Sequence, residues 1–165
     1  MKHLFFTALA FMLTAFVFAG HADAQDKGHI ELTTVAEIEK VVVNETGEKE
    51  TMLVPAAKVL PGDEVIYRIT YRNISDKPVE NIVITDPVPE HMFYKGGSAS
   101  GEGMEITFSI DGGKTYDTPD KLIKTLDDGS KVMAEASEYT NISWAMKRDL
   151  QPGEKGEVSF WAELE

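Results

Sequence analysis

The residues best suited to chemistry are few, and their spacing serves catalysis poorly. Past residue 24 the chain has two histidines, His29 and His91, far apart in sequence. It has no Cys at all, which excludes thiol catalysis, disulfides and cysteine-held metals together. There is no Gly-x-Ser-x-Gly elbow and no His-x-x-x-His pair. The glycine-rich stretch 95–103 (KGGSASGEG) lacks the Lys-Ser/Thr with which a phosphate-cradling loop ends. No catalytic residue, cofactor site or metal site is assigned, and the chain is expected not to be an enzyme. Asp117, Asp120, Asp127 and Asp128 could offer oxygens to Ca²⁺. They do not follow the spaced pattern of a calcium loop and read as solvated turn residues.

One motif has enough order to weigh. Ser109-Ile110-Asp111-Gly112-Gly113-Lys114-Thr115-Tyr116 fits the Asp-box pattern Ser-x-Asp-x-Gly-x-Thr-aromatic, a hairpin signature that recurs in sialidases. Sugar processing would need several such hairpins and an arginine cluster, and neither is present. The structural reading is preferred: Asp111 accepts backbone N–H groups in the turn, Gly112 and Gly113 permit its backbone, and Tyr116 packs beneath. Asn44-Glu45-Thr46, Asn73-Ile74-Ser75 and Asn141-Ile142-Ser143 have the form of glycosylation sequons.

The elements that position these residues are strands. Val65, Tyr67, Ile69 and Tyr71 alternate with Arg68, Thr70 and Arg72. Ile142, Trp144 and Met146 alternate with Asn141, Ser143 and Ala145, and Val158, Phe160, Ala162 and Leu164 with Glu157, Ser159, Trp161 and Glu163. Ile30, Leu32, Ala36 and Ile38 alternate with Glu31, Thr33, Glu37 and Glu39, and Met104, Ile106, Phe108 and Ile110 with Glu105, Thr107 and Ser109. Period two marks a half-buried strand, so Trp144 is expected in the core and Trp161 on the outside. Pro61-Gly62 and Pro152-Gly153 each fit a type II turn. Asn44–Gly47, Asp111–Lys114 and Asp127–Ser130 read as hairpin tips, and Ala134–Glu138 as one helical turn. At least seven short strands with turns between them predict an antiparallel β-sandwich.

The N-terminus predicts the compartment. Met1-Lys2-His3 precedes an uncharged run, Leu4 to Ala19, and then Ala22-Asp23-Ala24. That is the form of a signal peptide cleaved after Ala24, leaving residues 25–165 exported, free of the membrane, and periplasmic or secreted. The formal charge of −12, from 28 acidic against 16 basic residues, argues against nucleic acid and anionic lipid as partners.

Val59-Leu60-Pro61-Gly62-Asp63-Glu64-Val65-Ile66-Tyr67-Arg68-Ile69 resembles the opening of the conserved-repeat domain of bacterial surface and exported proteins, a domain of unknown function numbered eleven. The resemblance continues through the Asn73 turn, Asn81-Ile82-Val83-Ile84-Thr85-Asp86-Pro87, the Trp144 strand and the Pro152-Gly153 turn. It implies an immunoglobulin-like sandwich without enzymatic activity. Relatives often carry many copies in long stalks, whereas one copy is found here. The expected organisation is a signal peptide (1–24), N-terminal strands and a hairpin that complete the sandwich (25–58), and a repeat-like core (59–165). The expected role is structural or protein-binding in the bacterial envelope or outside the cell. The alternative is a small-ligand or carbohydrate-binding module.

Overall fold

Period-two patterning becomes strand over most of residues 29–165, which the computed structural model describes. The expected signal peptide and its cleavage point lie outside the described residues. The strands are β1 (Ile30–Val43), β2 (Lys49–Pro55), β3 (Glu64–Asn73), β4 (Val83–Pro87), β5 (Met92–Tyr94), β6 (Ser100–Gly101), β7 (Met104–Ser109), β8 (Ile123–Thr125), β9 (Lys131–Met133), β10 (Asn141–Met146) and β11 (Lys155–Leu164). The only helical turns among the described residues are short 3₁₀ segments at Pro119–Lys121 and Ala136–Glu138. The chain is all-β and its ladders are antiparallel.

One sheet runs β2-β1-β3-β11-β5, with β6 also on β11; a second runs β4-β10-β7; β8 and β9 form a separate pair. The inner faces of the two larger sheets share one core. β3 supplies Ile69 and Tyr71, β11 supplies Val158, Phe160 and Ala162, and the second sheet supplies Ile84, Phe108, Ile142 and Trp144. The Trp144 and Phe160 ring centroids lie 6.2 Å apart, and Phe160 stacks on Tyr67 at 5.1 Å. Burying a side chain of this size contributes about 1.5–3 kcal/mol, whereas an exposed ion pair such as Lys95–Glu64 contributes about 0–1. The core therefore holds the fold.

The two Pro-Gly turns lock the central strands together. Asp63 N–H donates to Leu60 O at 2.9 Å with Gly62 at φ 87°, and Glu154 N–H donates to Gln151 O at 3.0 Å with Gly153 at φ 75°. Positive φ at the third turn position is what a type II turn demands of its glycine. The carboxylate three residues on closes each turn: Leu60 N–H donates to Asp63 Oδ2 (2.8 Å) and Gln151 N–H to Glu154 Oε2 (2.9 Å). The turn before β3 then docks on the end of β11, through Gly62 N–H to Leu164 O (2.8 Å). The turn before β11 docks on the end of β3, through Gly153 N–H to Asn73 O (2.9 Å).

Two expectations of phase need correction. Ser143 is buried although polar, because β10 is the middle strand of its sheet. Leu32 lies in phase with Ile30 yet is 54% exposed. Of β1 only Ile30 joins the core, and β2 contributes nothing to it. The β1–β2 hairpin extends the first sheet past the edge of the second.

Candidate functional site

The Asp-box residues form a closed turn. β7 continues into a bridge between Phe108 and Asp117, with N–H···O bonds of 2.9 and 3.0 Å. Inside it Asp111 Oδ1 accepts the Ser109 hydroxyl (2.7 Å) and the N–H groups of Lys114 and Thr115 (both 3.0 Å), while Oδ2 accepts the Thr115 hydroxyl (2.7 Å). The Thr115 hydroxyl and N–H, then the Ser109 hydroxyl, hold the Asp111 carboxyl well below the usual carboxylate range. Gly113 N–H donates to Ser109 Oγ (2.9 Å) and Gly112 N–H to Thr140 Oγ1 (3.0 Å). Tyr116 is half-buried, its hydroxyl lying over Gly113. All four of these bonds come from its own hairpin, so the carboxylate is held in place as the keystone of the turn.

The remaining polar candidates are dispersed. Among the described residues no group of three or more His, Cys, Asp or Glu is arranged to hold a metal ion. Asp117 takes Thr118 N–H (2.8 Å) and Lys121 Nζ (3.2 Å), and Asp128 takes the Ser130 hydroxyl (2.6 Å). His91 is exposed, with Glu90 and Glu165 within 3.7 Å. Asn44 caps the exposed hairpin tip, its Oδ1 accepting Thr46 and Glu48 N–H groups at 3.0 and 2.9 Å. Asn73 is different: it is fully buried. Its Nδ2 donates to Lys77 O and Leu150 O (both 2.8 Å), and its Oδ1 accepts Ser75 N–H (2.9 Å) and the Ser75 hydroxyl (2.7 Å). The sequence reading took Asn73 as a turn residue and missed this hub, because the Leu150 carbonyl comes from a distant loop.

The β1–β2 hairpin also leaves an open main-chain edge, as β4, β5 and β7 do at the other ends of the sheets. Both sides of β1 are filled, by β2 and β3, so the free edge belongs to β2. Ala56 N–H donates to Ala36 O (3.0 Å) and Asn44 N–H to Glu48 O (2.9 Å), both in the β1–β2 register. Antiparallel hydrogen-bonded pairs recur every second residue, so the even-numbered residues of β2 bond to β1. Lys49, Thr51 and Leu53 therefore turn their N–H and C=O groups outward. Pro55 falls in the same outward phase, where its missing N–H breaks no ladder bond. Large apolar side chains flank this edge on both faces: Val41, Val43 and Leu53 on one, Met52 on the other. The edge strand carries the exposed charges Lys49 and Glu50 and ends on Pro55, while Glu31, Glu37 and Glu39 lie on β1. Glu37 is moreover engaged by Arg68 Nε at 2.8 Å.

Trp161, on the outward phase of β11, is partly exposed beside Ile38, Glu39, Asp63 and Glu64. No helix among the described residues is long and apolar enough to cross a membrane. Comparison with protein-family models, with curated proteins and with solved structures found no match to the chain.

Proposed function

We propose that the chain is an exported, non-catalytic, immunoglobulin-like β-sandwich module that holds a protein partner by taking one of its extended segments as an added strand on β2. The observation that carries this reading is the β2 edge: outward N–H and C=O groups at Lys49, Thr51 and Leu53, with Val41, Val43, Met52 and Leu53 beside them. Main-chain pairing supplies affinity and the flanking apolar positions supply selectivity. An open edge invites pairing, and Lys49 and Pro55 at the two ends of β2 narrow it to the Thr51–Leu53 stretch. The leader-like N-terminus supports export to the envelope or beyond it, and the order of Pro-Gly turns and Trp strand supports membership of the conserved-repeat domain family. The scarcity of histidines and the self-satisfied Asp111 turn support a non-catalytic role.

Thr51→Pro tests the reading with little risk to the fold. It removes an outward N–H and leaves the β1–β2 ladder whole, as Pro55 does natively. Capture from envelope extract by the immobilised protein should fall at least tenfold, with the melting temperature within a few degrees of wild type. Capture equal to wild type by a folded Thr51→Pro protein overturns strand addition at β2.

A further inference from the structure

A second recognition feature lies at the other end of β3, where the sheet meets the turns β6–β7 and β10–β11. A cleft of about 460 Å³ opens there between Glu102, Arg148, Glu154, Lys155 and Gly156, with Tyr71 beneath. Clefts of roughly 300–1,000 Å³ are the size that small molecules occupy.

Tyr71 is only 5% exposed, and its ring belongs to the core. Its hydroxyl lies directly over Gly156, the cross-strand partner, where any Cβ would overlap it. The missing side chain at Gly156 is what lets the phenol reach the cleft. Among the described residues no group hydrogen-bonds to this hydroxyl. The hydroxyl is not sealed in the core: among the described residues the buried side-chain atom left without a partner is Trp144 Nε1, whereas the phenol opens onto the cleft and can bond a ligand there. Burial raises its pKa; Arg148 lowers it, and Glu154 and Glu102 raise it. The hydroxyl therefore keeps its proton at neutral pH and can both donate and accept.

The surrounding charges decide what fits. Arg148 is committed to Glu154, with Nη1 to Oε2 at 3.0 Å, and that contact holds the Glu154 carboxyl down to about 2. Glu157, also on the cleft wall, leans toward Arg68 at 3.6 Å. Three groups remain without a partner among the described residues: the Lys155 ammonium, the Glu102 carboxylate and the Tyr71 hydroxyl. They are one donor, one acceptor and one group that is both, with charges that cancel. An anion would meet Glu102 and Glu157, and a cation would meet Lys155. A sugar hydroxyl donates and accepts at once and carries no charge.

We propose that this cleft binds a neutral polyhydroxyl ligand, one monosaccharide unit, with Tyr71 Oη at the floor and Lys155 and Glu102 at the mouth. The site is independent of strand addition at β2, and either can exist without the other.

The test is titration of the ¹⁵N-labelled protein, residues 25–165, with glucose, galactose and N-acetylglucosamine, and separately with free glycine as a zwitterion. At least one sugar should shift the Gly103, Lys155 and Gly156 amides saturably, with Kd on the order of 1–10 mM. Tyr71→Phe keeps the ring over Gly156 and removes only the hydroxyl, and should weaken that binding at least fivefold at an unchanged melting temperature. Should Tyr71→Phe prove unstable, Lys155→Met at an exposed position should weaken it comparably. The proposal is overturned if no sugar shifts these amides. It is equally overturned if glycine shifts them and the sugars do not, or if a folded variant binds sugar as wild type does.

Discussion

The β3–β11 pair and the β1–β2 hairpin are adjacent parts of one sheet, made of similar residues, and they meet opposite fates. β3 and β11 place Ile69, Tyr71, Val158, Phe160 and Ala162 under the second sheet, each at most 5% exposed. β1 and β2 offer comparable apolar residues, yet Leu32, Val41, Val43 and Met52 are each at least half exposed. The backbone pairing is equally regular in both regions. What differs is cover: the three strands β4, β10 and β7 lie over the first region and stop short of the second. Hydrogen-bond ladders extend a sheet wherever a strand can reach, but burial needs a second layer. A strand without that layer is available to another molecule.

The largest effects should separate the two regions cleanly. Trp144→Ala should cost about 3–5 kcal/mol in chemical denaturation, since its side chain is fully buried against Phe160. Trp144→Phe should cost far less, because the indole N–H has no partner to lose. Val41→Ala and Met52→Ala should each change stability by less than about 0.5 kcal/mol, as exposed positions do. A hairpin substitution as costly as a core one would break the comparison, because it would mean the hairpin is covered in solution. Next in size is Asn73→Ala, which should cost about 1–3 kcal/mol by removing, at a fully buried position, two donated bonds to Lys77 O and Leu150 O and the acceptor of Ser75.

The smallest effect concerns the Asp-box turn, a third region that is neither core nor hairpin. Asp111→Ala should lower the melting temperature by a few degrees and leave partner and sugar binding intact. Its pH dependence has a definite sign. The folded-state pKa is depressed below 3.8, so the carboxylate adds stability above that value and loses it as pH falls through the folded pKa. Wild type and Asp111→Ala should therefore converge in melting temperature below about pH 4. A gap that is constant down to the acid limit would show that the hydrogen bonds of Asp111 do not depend on its charge.

How much of this was legible in the sequence follows from what period two can encode. Alternation reports which way a side chain points, and it matched burial along β11 and the second half of β3, while on β10 the buried Ser143 broke it. It carries no information on whether anything lies opposite, so it assigned Leu32 to an inner face that is open. The turns were legible because Pro61-Gly62 and Pro152-Gly153 are local signals. Asn73 and the Tyr71 cleft were not legible, because their partners, Leu150 and Gly156, lie some 80 residues away and meet them only through sheet register. The open edge was not legible either, because only the order of strands in the sheet assigns it to β2.

The reciprocal docking of the two Pro-Gly turns also has a temporal side. β3 and β11 are central partners, yet all the other strands of the core sheet opposite lie between them in sequence. Their pairing closes a loop of most of the described chain, and such closures make folding slow and late. Until β11 has been made, β3 lacks a neighbour on one side, Phe160 is missing from beneath Trp144, and the end of β3 has no turn to grip it. The closed sandwich therefore forms only once the last strand is available, although the β1–β2–β3 and β4–β10–β7 ladders need no residue of β11.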